Sequence, residues 1–94
     1  MSIQGEGHGE EATGERAVGA QLARVISLLV DTPRAVRVDA RRDRSVTVFK
    51  VRVDPDDLGQ LIGRQGRTAR ALRALLDVRG SRDGRRYGLE IRES

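Results

Sequence analysis

Leu61-Ile62-Gly63-Arg64-Gln65-Gly66-Arg67 breaks an apolar, helix-like pattern with two glycines that bracket a basic residue and an amide. None of the four positions from Gly63 to Gly66 carries a bulky apolar or β-branched side chain, so the main chain there can approach another molecule closely. Glycine lacks Cβ, permits a sharp turn and leaves the following amides uncovered. A helix that begins at Gly66 or Arg67 has first N–H groups without partners inside the helix. Those donors and the helix dipole favour an anion. Arg64 and Arg67 add fixed positive charge beside them. The simplest ligand with repeated anions is a nucleic-acid backbone.

The flanks of this loop read as helices. Asp54-Pro55-Asp56-Asp57 is a helix start, with Asp54 as N-cap, Pro55 at the first helical position and acids in the first turn. A short helix then runs into the glycines. A second helix is expected over residues 67–78, with Ala69, Leu72, Leu75 and Leu76 on one side. Arg67 and Arg70 fall opposite, and Arg73 sits at the flank. Residues 80–86 read as a polar turn, and Tyr87, Leu89 and Ile91 alternate with polar neighbours as a final strand.

Upstream, Val18, Leu22, Val25, Ile26 and Leu29 recur at helical spacing and form an apolar stripe. Pro33 ends that helix, because it disfavours helical geometry at Thr32. Val36, Val38 and Ala40 alternate with charged residues as a half-buried strand. Arg42-Asp43-Arg44 reads as a short polar connection. Residues 45–53, rich in Val, Thr and Phe, form the next strand. Its apolar alternation changes phase. Val46 and Val48 share one face; Phe49, Val51 and Val53 share the other. A bulge near Val48 and Phe49, or partial burial of both faces, would explain this.

The expected order is helix, strand, strand, helix, loop, helix, strand. A three-stranded sheet with three helices on one face would bury all the apolar stripes together, as an α+β two-layer sandwich. Residues 1–17, rich in Gly and Glu and without apolar periodicity, read as a disordered acidic tail. Residues 18–94 read as one domain, and 94 residues allow no more than one.

The run from Pro55 to Leu72, with Ile-Gly-x-x-Gly between two short helices, resembles the signature of KH domains. With the element order αββααβ, the type II arrangement, residues 18–93 look like the small single-KH proteins of bacteria, the KhpA-type family. That resemblance implies a non-catalytic protein that holds single-stranded RNA. A KH loop clamps about four nucleotides. Carried onto this chain, Gly63 and Gly66 let the phosphates approach. Arg64 supplies charge, and Gln65 a neutral donor. Arg67 and Arg70 extend the positive surface, while Leu58 and Ile62 floor an apolar groove for bases, with the middle strand as its wall. The fuller signature often has Ile three residues after the second glycine; this chain has Ala69. A smaller side chain makes a shallower platform. Phe49 and Tyr87 are the only Phe and Tyr, so no aromatic stacking surface is available. Affinity should rest mainly on phosphate contacts, with weak sequence discrimination and strong salt dependence.

Each feature also has a plainer reading. Gly63 can be an ordinary helix C-cap and Gly66 part of a helix–helix turn. Leu58 and Ile62 can be core, Arg70 and Arg73 a solvated helix face, and Arg37, Arg41, Arg42 and Arg44 can simply keep an exposed edge soluble. The alternative function is a protein–protein or dimerisation module with weak RNA or single-stranded DNA binding. The resemblance implies a homodimer, or a heterodimer with a larger multidomain KH protein, as possible partnerships.

Charge is unevenly divided. Residues 1–17 hold four acids against Arg16, a net of −3, while residues 18–94 hold 17 basic and 10 acidic groups, a net of +7. A basic domain suits phosphate binding and electrostatic steering. There is no cysteine, so disulfides and thiolate metal sites are excluded. The one histidine, His8, falls in the expected tail, and no Ser/His/Asp set can be assembled in the domain. Asp54, Asp56 and Asp57 look like helix-start residues rather than metal ligands. No enzyme activity, cofactor or small-molecule substrate is therefore expected. No long apolar run or secretory signal is visible, which points to the cytoplasm and no membrane.

Overall fold

The computed structural model describes residues 14–94 in full and gives the backbone of the first helix from Ser2. Helix α1 (Ser2–Leu29) leads into strands β1 (Arg37–Asp43) and β2 (Val46–Val53). Helices α2 (Pro55–Ile62) and α3 (Arg67–Asp83) follow, and strand β3 (Arg86–Glu93) closes the chain. Turns of 3₁₀ helix lie at Pro33–Ala35 and Arg64–Gly66. β1 runs antiparallel to β2, and β3 lies parallel to β2 on its other side, giving the order β1-β2-β3. A parallel neighbour needs a crossover, and α2 and α3 supply it. The result is the expected α+β sandwich, with three helices on one face of a mixed sheet.

All three helices send residues into one core. Val18, Leu22 and Ile26 from α1, Leu61 from α2, and Leu72 and Leu76 from α3 pack on Phe49, Val51, Val53 and Tyr87 of the sheet. The Phe49 and Tyr87 rings meet edge-on, with centroids 5.3 Å apart and planes at 76°, the geometry that aromatic quadrupoles favour. Val25, Leu29 and Leu75, expected inside the stripes, are exposed instead.

β2 resolves the phase change in its sequence without a bulge. Pairing with both neighbours is continuous from Val46 to Val53. The inward row is Thr47, Phe49, Val51 and Val53, all fully buried. Thr47 is the polar member that hides this period. Its hydroxyl accepts from Arg85 Nε at 3.1 Å and Nη2 at 2.8 Å, so it is buried with its hydrogen bonds made. Val46 and Val48 lie on the opposite, open face and are half-buried there.

Two boundaries differ from expectation. Residues 14–17, assigned to the tail, belong to α1, and Glu15 is buried with its Oε1 2.8 Å from Arg42 Nε on β1. The rest of the expected tail, residues 1–13, lies outside the fully described residues. α3 also continues to Asp83 rather than stopping near Val78. Gly80 is an interior helical residue, and a Cβ there would sit 2.5 Å from the Arg85 carbonyl oxygen. It lets the chain return under the helix. The helix ends at Gly84 (φ +69°), where the Arg85 amide donates to the Gly80 carbonyl at 2.8 Å.

Candidate nucleic-acid interface

α2 starts as its sequence dictates. Asp54 Oδ1 accepts from the Asp56 amide at 2.9 Å, and Pro55 occupies the first helical position. The helix ends at Gly63, whose amide donates to the Gly59 carbonyl at 2.9 Å. Gly63 has φ +83° and ψ 166°. A Cβ at that position would lie 2.5 Å from Thr68 Oγ1 and 2.9 Å from the Thr68 amide nitrogen, so only glycine fits.

The chain then turns through two left-handed residues, Gln65 (φ +56°) and Gly66 (φ +72°), and enters α3 at Arg67. For Gln65, which carries a Cβ, that conformation costs about 1–2 kcal/mol. The turn is held by the Gly66 amide donating to the Gly63 carbonyl at 3.0 Å and by the Arg67 amide donating to the Arg64 carbonyl. The amides of Arg64 and Gln65 donate to no carbonyl among the described residues. The loop is neither part of an uninterrupted helix nor covered by other segments: Arg64 and Gln65 are both exposed.

Arg67 and Arg70 are exposed on the first turns of α3. Among the described residues, Arg64, Arg67 and Arg70 have no carboxylate partner. The loop therefore combines unsatisfied amides, a helix start and three uncompensated cations, an arrangement suited to phosphate oxygens.

The apolar candidates divide. Leu58 is half-buried and packs on the core, whereas Ile62 is exposed beside the loop. The strand that flanks them is also not the one expected. β2 is the central strand, with a neighbour on each side; α2 and α3 both contact the edge strand β3 instead. Arg73 Nη2 reaches the Leu89 carbonyl of β3 at 3.5 Å. Any groove beside the loop is thus walled by β3.

Asp57 was read only as a helix-start acid, and its role is larger. It is buried, and the amides of Asp31 and Thr32 donate to its Oδ1 and Oδ2 at 3.1 and 3.0 Å. It ties the exit of α1 to the first turn of α2, and so fixes the helix that presents the loop. No local pattern distinguishes it from Asp56, because its partners lie some 25 residues away in the chain.

Fold and loop together define a type II KH domain, a non-catalytic class. The chain belongs to the KhpA/KhpB KH-domain family, whose match covers residues 20–91. It is 47% identical over 70 residues to the RNA-binding protein KhpA of Leifsonia xyli subsp. xyli, covering 74% of this chain and 90% of that relative. It is 48% identical over 65 residues to the RNA-binding protein KhpA of Aquifex aeolicus, covering 69% and 82%. With the RNA-binding protein KhpA of Streptomyces coelicolor it shares 49% identity over 61 residues, covering 65% and 77%. No solved structure matches the chain. Among the described residues, no cluster of His, Cys, Asp and Glu could hold a metal ion, and no helix is long and apolar enough to cross a membrane.

Proposed function

We propose that this chain is a cytoplasmic RNA-binding protein that grips single-stranded RNA by its phosphate backbone, with no catalytic step. The observation that carries the reading is the 63–66 loop, where the Arg64 and Gln65 amides donate to no carbonyl among the described residues and stand beside Arg64, Arg67 and Arg70, which have no carboxylate partner among those residues. Gly63 and Gly66 admit the backbone, and Ile62 offers a small apolar surface to a base. Leu58 supports that surface from the core side. The names of its KhpA relatives support RNA as the ligand. Small apolar surfaces and the absence of an aromatic platform give weak discrimination between sequences. Such a protein suits broad post-transcriptional regulation or RNA chaperoning.

The test is the double variant Arg64→Asp, Gln65→Asp. It should keep its circular-dichroism spectrum and melting temperature and lose affinity for a single-stranded RNA 16-mer by at least tenfold. Parent-like binding by the folded variant would mean that the loop is not the site. A matched DNA 16-mer tests whether the 2′-hydroxyl matters.

A second reading, self-association or pairing with a larger KH protein, is favoured by one feature. Leu28, Leu75 and Val78 are 85%, 65% and 64% exposed on α1 and α3. Val25 and Leu75 line one groove between those helices. One KH domain reads few nucleotides, and a second domain raises affinity through effective concentration. Sedimentation of Leu75→Asp against the parent tests self-association: an unchanged mass in both, equal to one chain, removes that half of the reading.

A further inference from the structure

The open face of the sheet carries a second charged feature that the loop does not use. Residues directly opposite one another on neighbouring strands share a face. The register sets Arg37 opposite Arg52 and Arg52 opposite Arg92. Because Val51 and Val53 point into the core, Arg52 and its two partners lie on the outer face, and all three are exposed. With strands about 4.8 Å apart, three guanidinium-bearing side chains line up within about 10 Å.

The next row is an internal contrast. Lys50 lies between Asp39 on β1 and Glu90 on β3, alternating in sign as an ordinary solvated face does. The arginine row does the reverse and places like charges side by side, which disfavours the fold. Edge protection does not account for it, because Arg52 stands on the central strand. Local pairing neutralises it only in part. Arg92 Nε lies 2.6 Å from Glu90 Oε1, yet the Arg92 side chain stays 65% exposed. Arg37 Nη1 donates to the carbonyls of Arg34 and Val36, neither of them an acid. Arg52 has no partner among the described residues.

The row also lies at the loop's end of the molecule. α3 runs antiparallel to β3: Asp83 accepts from Tyr87, and Arg73, earlier in the helix, reaches Leu89, later in the strand. α3 and β3 each span about 25 Å at their usual rises per residue. The start of α3, where the loop sits, is therefore beside the end of β3, where Arg92 sits. The loop lies in the helix layer and Arg92 on the opposite face of the sheet, so a strand passing from one to the other crosses the β3 edge.

We propose that Arg37, Arg52 and Arg92 form a second phosphate-contact line, which engages an RNA strand after it leaves the 63–66 loop and passes over the β3 edge. This rests on the RNA-binding reading above. It makes the footprint longer than the loop's own, and it makes affinity depend on RNA length.

The experiment compares a single-stranded RNA 5-mer with a 16-mer on the full chain, across a salt series. The triple variant Arg37→Gln, Arg52→Gln, Arg92→Gln should bind the 5-mer as the parent does and the 16-mer about tenfold more weakly. Its log–log salt slope for the 16-mer should shrink by about 2, since each neutralised phosphate on a single strand contributes about 0.7. Its melting temperature should hold or rise as the like charges are removed. Equal binding of the 16-mer by parent and triple variant overturns the proposal, and so does equal weakening for both lengths. Loss of attachment to anionic phosphatidylglycerol vesicles with RNA binding intact would assign the row to a lipid surface and also overturn it. The Arg64→Asp, Gln65→Asp variant separates the two ideas. If it binds both RNAs like the parent, the loop reading fails; if it loses the 5-mer while the triple variant keeps it, the loop stands whatever the row does.

Discussion

Thr68 Oγ1 occupies the space beside Gly63 so closely that a Cβ on Gly63 would come within 2.5 Å of it. The first turn of α3 is thereby packed against the residue that caps α2. Gly63→Ala combines this clash with a positive φ. It should destabilise the fold by about 1–3 kcal/mol, read as a lower urea midpoint with an unchanged slope. Gly66→Ala faces only the far end of Arg70, at 3.6 Å. It should cost less, about 1 kcal/mol, from backbone conformation alone. Equal costs for the two would mean that Thr68 yields freely.

Asp57 holds α2 to the end of α1 through the Asp31 and Thr32 amides. Asp57→Ala leaves both donors without their acceptor and should cost about 3–6 kcal/mol, at about 1.5–3 kcal/mol for each of two hydrogen bonds to a charged group. Hydrogen exchange at Asp31 and Thr32 should accelerate in the same variant. Exchange that stays at the parent rate would show that these amides are protected by something else.

Much of this was legible in the chain. The turn at Pro33, the Asp54 cap and the glycine loop are local, and local rules locate them. The parts that were missed depend on tertiary contacts. Gly80 and Gly84 are both plausible helix ends, and only the returning Arg85 decides that Gly84 is the cap. Thr47 breaks the apolar period of β2, yet it is buried because Arg85 satisfies its hydroxyl. Val25 and Leu75 fit their stripes but stay exposed in the groove between α1 and α3. Asp57 could not be told from Asp56 because its partners are distant in sequence. For the site, Gly63 to Gly66 and the exposed arginines could be read directly. The wall beside Ile62 could not, because strand order within the sheet is not written in any one segment.

Tyr87 supplies a pH test. Burial, then its hydrogen bond to Asp83 Oδ2 at 2.6 Å, pushes the Tyr87 hydroxyl up to about 12. The neutral phenol is favoured in the folded state. Its contribution is thus fully present below the unfolded value near 10 and should be lost as pH rises from there to about 12. The same hydrogen bond, aided by Arg79, lowers Asp83 below its usual carboxylate value against the opposing effect of burial. That part is present above about pH 4 and lost as pH falls through the depressed value. Tyr87→Phe should flatten the alkaline limb in thermal melts between pH 9 and 12; an unaltered limb would place the alkaline transition elsewhere.

The central claim is that the main chain of the glycine loop holds the RNA backbone. The direct measurement is a titration of the ¹⁵N-labelled protein with a single-stranded RNA 5-mer, following backbone amide signals. The account predicts the largest shifts at Arg64, Gln65 and Gly66, with smaller ones at Arg67 and Ile62. Binding that leaves Arg64 and Gln65 unmoved while signals elsewhere shift would contradict it.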